Sequence, residues 1–130
     1  MLEETRFLLN NGMDSQNPMS LVVVGQSELK TNLSKEMFEP ITQRIDFRFS
    51  LAPFDRAQTQ DYIHSHMRYA GETREVFSPS AVDAIFALSC GVARKINKIC
   101  SMSLLYAAHK AMRTIDGGSV GFVADQELSW

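Results

Sequence analysis

The sequence has little of what marks several specialised protein classes. Two cysteines in 130 residues are too few for a disulfide framework, which favours a reducing cytoplasm. We recognise no signal peptide and no apolar run long enough to cross a bilayer, so we expect a cytoplasmic protein with no membrane segment. The formal net charge of −2 excludes a broadly basic surface, so DNA binding is not expected through this segment.

Motifs for phosphate and metal binding are also missing. The sequence has no G-x-x-x-x-G-K-[ST] loop, and no apolar strand ends in Asp-Glu to hold Mg²⁺. His64 and His66 lie two apart on a predicted helix, so they point in different directions and cannot pair as metal ligands. His109 lacks a Cys or His partner at ligand spacing. We therefore predict no metal site.

The first part of the chain carries alternating helix and strand signals. A helix is predicted over residues 2–9, and the β-branched run 21–25 predicts a strand that is apolar on both faces, as in a covered parallel sheet. Gln26 then lies at the carboxyl edge of that sheet, where open α/β sheets bind ligands. It is a candidate site residue, and the alternative is a loop glutamine bonded to water.

A helix and a second strand follow. Ser27 is expected to cap a helix from Glu28 to about Lys35, and Pro40 starts a short helix over 39–44. The alternation of apolar and polar residues over 45–51 predicts a strand with one buried face. Strand, helix and strand in this order favour a parallel pair with a right-handed crossover.

From Pro53 onward the pattern is helical. Asp55 and Gln58 have the spacing of a capping box, and Ser78-Pro79 supplies a cap and first residue for the next helix. A long helix is predicted from residue 93 to about 113, and a short one over 120–128. Four helices joined by short loops predict a compact helical lobe.

Gly91 and Arg94 mark the start of the long helix. Gly91 can end one helix and turn the backbone into the next. Arg94 lies in the first turn, where a cation opposes the helix dipole, and an anion bound there would remove that conflict. The alternative is a solvated arginine. The apolar side chains at helical spacing are expected to bury one face of the helix: Ile96, Ile99, Cys100, Leu104, Ala107, Ala108 and Ala111.

Three phrases occur in an order that resembles one family. They are V-V-V-G-Q-S-E-L at 22–29, Q-R-I at 43–45 and G-V-A-R-K-I-N-K-I-C at 91–100. Together they resemble the AAA+ ATPases of the secretion-pathway protein A type and the related transposition ATPases, whose phrases read roughly V-G-Q-P-E-L, Q-R-I and G-x-P-R-x-I-N-x-L-C. The resemblance covers nearly the whole chain, and this sequence departs from it with Ser27 and Ala93 in place of proline.

The resemblance implies roles for three residues. Gln26 matches sensor 1, which orients the attacking water near the γ-phosphate. Arg44 matches the arginine finger, which reaches the nucleotide of a neighbouring subunit, and Arg48 is the fallback for that role. Arg94 matches sensor 2, the lid arginine that contacts ATP phosphate.

The resemblance also implies a fold class, a function and cofactors. Residues 1–52 would be the C-terminal part of an AAA+ α/β core, a remnant of a P-loop NTPase parallel sheet, and residues 53–130 an all-α four-helix lid, so the chain is mostly helical. The implied function is ATP binding and hydrolysis coupled to remodelling in secretion or transposition. ATP and Mg²⁺ serve the full-length parent. The phosphate loop and Walker B carboxylates would precede Met1, so we expect this chain alone to be inactive and to bind no cofactor tightly.

Two kinds of partner follow from this interpretation. The missing N-terminal half of the ATPase core is one, and further copies in a homo-oligomer are the other. A different class of function stays open, namely a non-catalytic protein-interaction module that uses the helical lid or exposed strand edges.

Overall fold

The computed structural model describes residues 20–127, which are mostly helical, as predicted. The chain divides between Ser50 and Leu51 into two compact units. The predicted helix over residues 2–9 and the last three residues, 128–130, lie outside the described part.

The described part of the first unit contains three short helices: α1 (Ser27–Leu33), a 3-10 helix (Glu36–Phe38) and α2 (Glu39–Thr42). Pro40 lies in the first turn of α2, as predicted. The Thr42 hydroxyl donates to the carbonyl of Leu33 at 2.8 Å and so joins the ends of α1 and α2. Ile41 supplies the buried apolar side chain of this small unit.

Neither predicted strand forms within residues 20–127. Segments 21–25 and 45–51 have no regular secondary structure. A strand is held by hydrogen bonds to a neighbouring strand, and no such neighbour lies in the described part of the chain. The β-branched and aromatic side chains therefore stay in solvent: Val22 is 81% exposed and Val24 is 85% exposed. Strand propensity alone does not make a sheet.

The second unit is a bundle of four helices: α3 (Arg56–Tyr69), α4 (Pro79–Ser89), α5 (Ala93–His109) and α6 (Gly117–Glu127). Helix α4 contacts the other three and is the centre of the bundle. The buried core of the bundle is almost entirely aliphatic, with one aromatic ring. It consists of Ile63, Phe77, Ala81, Val82, Ile85, Ile96, Ile99, Ala107, Ile115 and Val120.

The predicted helix starts of α3 and α4 are confirmed. The Asp55 carboxylate accepts from the Gln58 backbone N–H at 2.8 Å, and the Gln58 side chain accepts from the Asp55 N–H at 3.0 Å, which is a complete capping box. The Ser78 hydroxyl accepts from the Ala81 N–H at 3.2 Å, and Pro79 is the first helical residue.

Some predicted boundaries and faces are wrong. Helix α5 ends at His109 rather than near residue 113, because Ala111 turns left-handed at φ +52° and carries the backbone away. Ala108 and Ala111, which were expected on the buried face, are both exposed. Helix α6 begins at Gly117 rather than Val120, because Asp116 caps it by accepting from the Ser119 N–H at 2.8 Å.

A parallel β-bridge joins the segments that lead into α4 and α6. The Ile115 N–H donates to the Val76 carbonyl at 2.8 Å, and the Ser78 N–H donates to the Ile115 carbonyl at 2.9 Å. Phe77 and Ile115 are both buried at this bridge. The two helices therefore start side by side.

Candidate functional site

The turn between α4 and α5 sets the direction of the long helix. Cys90 and Gly91 are both left-handed, with φ of +50° and +72°. The hydroxyl of Ser89, which is fully buried, accepts from the Gly91 N–H at 3.2 Å. Gly91 ends the helix as predicted, but the left-handed conformation begins one residue earlier, at a cysteine.

Phe54 holds this turn from the other side. Its N–H donates to the Gly91 carbonyl at 2.9 Å. A Cβ added to Gly91 would lie 1.9 Å from the Phe54 carbonyl oxygen, so only glycine fits. The Phe54 ring packs beside that of Tyr62, with centroids 5.1 Å apart. The segment entering α3 is thus fixed to the turn that starts α5.

Arg94 is an exposed cation in the first turn of α5. Val92 is the N-cap, and no side chain caps this end of the helix; the Val92 carbonyl accepts from the N–H groups of Lys95 and Ile96 at 2.9 and 3.0 Å. The first turn contains no acidic residue. Arg94 and Lys95, both exposed, therefore place two positive side chains where the helix dipole already favours an anion.

Gln26 is the N-cap residue of α1, and Ser27, the predicted cap, is instead the first helical residue. The side chain of Gln26 makes no capping bond and is exposed. Its backbone carbonyl accepts from the Leu29 N–H at 2.9 Å. The carboxamide therefore has no structural task in capping this helix.

Arg44 lies two residues after the end of α2. Its N–H donates to the Ile41 carbonyl at 3.1 Å, and the residue is exposed. The guanidinium of Arg48, the fallback for the same role, donates to the Thr42 carbonyl at 3.2 Å. Arg48 is thus engaged with the C-terminal end of α2.

Each of the three predicted site residues lies at or near the end of a helix. Gln26 is the N-cap residue of α1, Arg44 follows the end of α2, and Arg94 lies in the first turn of α5. Gln26 and Arg44 belong to the first unit, and Arg94 belongs to the second. The residues that hold the turn before Arg94, Ser89 and Phe54, were not predicted, because a buried serine and a loop aromatic carry no distinctive sequence signal.

His66 packs on an aromatic ring, and Cys100 is largely buried. The ring of His66 packs on Tyr62, with centroids 4.4 Å apart. Burial raises the pKa of the Cys100 thiol to about 12. No group of three His, Cys, Asp or Glu side chains within residues 20–127 is arranged to hold a metal ion.

The second unit is a small α-helical bundle, and its helix α5 begins with two exposed cations and no acidic residue in the first turn. A comparison with curated proteins finds that the chain is 30% identical over 124 residues to General secretion pathway protein A of Aeromonas hydrophila. This similarity covers 95% of the chain but only 23% of that protein. It supports a relationship between the two sequences.

Two further comparisons give no match. No family model matches the chain. No solved structure matches it either. Separately, none of the helices in the described residues has the length and apolar character needed to span a membrane.

Proposed function

We propose that this chain is the sensor and lid part of an AAA+ ATPase related to General secretion pathway protein A. The observation that carries the proposal is the position of Arg94, an exposed arginine in the first turn of α5 with no acidic neighbour in that turn. The similarity to the Aeromonas protein supports it, because it runs along 95% of the chain rather than over one motif.

In this proposal Arg94 contacts the phosphates of ATP from the lid. A guanidinium offers planar, multiple N–H donors that match phosphate oxygens, and the first-turn N–H groups of α5 add to the attraction. Phe54, Ser89 and Gly91 hold the turn that aims the helix start. Lys95 contributes a second positive charge next to it.

Gln26 and Arg44 take the other two roles. The exposed carboxamide of Gln26 has both a donor and an acceptor and is suited to orienting a water molecule. Arg44 is proposed as the arginine finger, which stabilises the charge of the transition state on a neighbouring subunit. Arg48 remains the fallback for that role, and its guanidinium donates to the Thr42 carbonyl.

The residues present fit a phosphate better than a metal ion. The start of α5 offers cations and backbone N–H groups, whereas Mg²⁺ needs oxygen ligands such as carboxylates. When bound in the complete ATPase, Mg²⁺ supplies charge neutralisation on the phosphates. We propose that its ligands, like the phosphate loop, come from a part of the parent protein outside this chain.

The same proposal accounts for the exposed apolar segments of the first unit. Segments 21–25 and 45–51 would be strands of a parallel sheet, completed by strands of the missing half of the ATPase core. Both segments have the residue composition of strands. The side chains of Val22 and Val24 are more than four-fifths exposed in this structure. A covered sheet would bury them.

A titration of the 130-residue chain with ATP and Mg²⁺, followed by backbone NMR shifts, tests the proposal. We expect weak, millimolar binding with shifts centred on residues 91–98. Arg94→Ala should abolish these shifts, and the matched control Arg113→Ala, another exposed arginine of the same unit, should leave them unchanged. Equal binding by the Arg94→Ala variant would overturn the assignment of Arg94.

A second candidate function is a non-catalytic interaction module. The exposed apolar side chains of the first unit favour it, since such side chains are often covered by a partner. This candidate predicts that Arg94→Ala has no effect on partner binding.

A further inference from the structure

Two of the three apolar side chains in segment 45–50, Phe47 and Phe49, are exposed, and Ile45 is half-buried. Apolar residues alternate with polar ones from Ile45 to Ser50, so they share one face of an extended chain. Phe47 is 78% exposed and Phe49 is 88% exposed. Their rings are stacked, with centroids 6.4 Å apart and planes 18° from parallel. Two aromatic rings are thus presented together to solvent.

The backbone of residues 46–50 is not paired with any other residue in the range 20–127. The Ile45 N–H donates to the Thr42 carbonyl at 3.3 Å, and the next backbone bond along the chain is made by the Phe54 N–H. Between them, the peptide groups of residues 46–50 make no backbone hydrogen bond within the described part of the chain. None of these residues is proline, so each offers a donor and an acceptor.

The charges in the segment complement a second copy of itself. When two copies run antiparallel with Phe47 opposite Phe47, Asp46 of each copy lies opposite Arg48 of the other. On the apolar face, Ile45 lies opposite Phe49. Opposite charges and aromatic pairs directly across an antiparallel ladder stabilise it. A single two-fold axis through Phe47 therefore forms the ion pairs on one face of the ribbon and the apolar pairs on the other.

Neighbouring registers are unfavourable. A slip by one residue sets apolar side chains opposite polar ones and turns the faces over. A slip that preserves the faces sets Asp46 opposite Asp46, or Arg48 opposite Arg48. A parallel arrangement in register sets Asp46 opposite Asp46 and also Arg48 opposite Arg48. The charge pattern thus selects the single antiparallel register centred on Phe47.

We infer that residues 45–50 dock onto the same segment of a second copy of this chain and form an antiparallel two-stranded ribbon. Arg48 exchanges its bond to the Thr42 carbonyl for the Asp46 carboxylate of the other copy. A two-stranded ribbon is marginal by itself, so the dimer is weak and forms at high concentration. The inference does not depend on ATP binding or on the role of Arg94. The ribbon uses the same segment as the proposed parallel sheet, so the dimer forms only while that sheet is not completed.

Sedimentation equilibrium of the full 130-residue chain at low salt, from micromolar to millimolar concentration, tests it. We expect reversible dimerisation of the native chain. Arg48→Asp and Asp46→Arg each set like charges across the ribbon, so each should weaken association by roughly tenfold or more. Arg113→Asp makes the same change in net charge as Arg48→Asp, but elsewhere in the chain, and should leave association unchanged.

A mixing experiment identifies the register. The Arg48→Asp variant carries two acidic residues and the Asp46→Arg variant carries two basic ones, so an equal mixture restores both ion pairs in a heterodimer. We expect the mixture to associate at least as strongly as the native chain, although each variant alone associates more weakly. Circular dichroism checks that each variant keeps its helices.

Three results would overturn the inference. They are a native chain that stays monomeric up to millimolar concentration, an Arg48→Asp variant that associates like the native chain, and a mixture that fails to associate. The second result would mean that another surface, such as residues 21–25, mediates association. The failure of ATP to bind would leave all of these measurements intact.

Discussion

The carbonyl oxygen of Phe54 lies so close to the Cα of Gly91 that a side chain there would meet it at 1.9 Å. The two residues are also joined by a hydrogen bond of 2.9 Å from the Phe54 N–H to the Gly91 carbonyl. This contact connects the segment entering the helical bundle to the turn before Arg94. It restricts position 91 both by its left-handed backbone and by lack of space.

Gly91→Ala tests this contact. The variant should lose more than about 2 kcal/mol of stability, because it adds a steric clash to the cost of a left-handed alanine. Gly71→Ala is the matched control: Gly71 has φ of +89°, but no atom lies within 4 Å of an added Cβ. It should lose only about 1 kcal/mol. Urea unfolding of both variants measures the difference, and equal losses would contradict the contact.

Two aliphatic residues of α5 should differ sharply when truncated. Ile96 is fully buried, whereas Leu105 is 65% exposed. Ile96→Ala should destabilise the bundle by about 2–5 kcal/mol through lost burial and the cavity left behind. Leu105→Ala should change stability by less than about 0.5 kcal/mol. Similar denaturation midpoints for the two variants would show that the core is assigned wrongly.

The two cysteines should differ in reactivity. Cys90 is exposed, whereas burial raises the pKa of Cys100 to about 12 and keeps its thiol protonated at neutral pH. A thiol reagent should modify one cysteine of the native chain rapidly and both in denaturant. The Cys90→Ser variant should react only after unfolding. Rapid reaction of that variant under native conditions would exclude the packing described for Cys100.

Glu72 should titrate at unusually low pH. The side chain of Arg74 donates two hydrogen bonds to the Glu72 carboxylate, at 3.1 and 2.7 Å, and lowers the pKa of that carboxyl to about 2. Because the folded pKa lies below the unfolded value, the pair contributes stability above the unfolded pKa of Glu72. That contribution is lost as the pH falls through the folded pKa toward 2.

NMR titration of the Glu72 carboxyl measures this shift directly. Arg74→Ala should return the pKa toward its ordinary value of 4.5, and Arg113→Ala should leave it low. High salt should also reduce the shift, because the pair lies at the surface. An unchanged pKa in the Arg74→Ala variant would assign the shift to another cause.

The helix starts were predictable because cap chemistry is local. A cap forms within three or four residues, so it can be predicted without the rest of the fold. The caps at Asp55 and Ser78 are examples. The cap at Asp116 follows the same rule, but the two glycines after it favour a turn, so the helix was predicted to begin three residues too late, at Val120.

The candidate site was only partly predictable. Arg94 is in the first turn of α5 as expected, because Gly91 signals the break before it. The close approach of Phe54 to Gly91 joins residues far apart in sequence, and no periodicity reveals it. The strands over 21–25 and 45–51 were predicted from composition, yet a strand depends on a neighbour that residues 20–127 do not supply. The roles of Gln26, Arg44 and Arg94 stay predictions until nucleotide binding is measured.

The bridge between Phe77 and Ile115 also bears on how the bundle assembles. It joins two segments separated by α4 and α5, so closing it early would cost loop entropy with little burial in return. We expect the contact to form late, after α4 and α5 have packed. Substitutions at Ile115 should then mainly speed unfolding and leave the folding rate almost unchanged. The bridge would thus set the unfolding rate of the bundle and so the lifetime of its folded state.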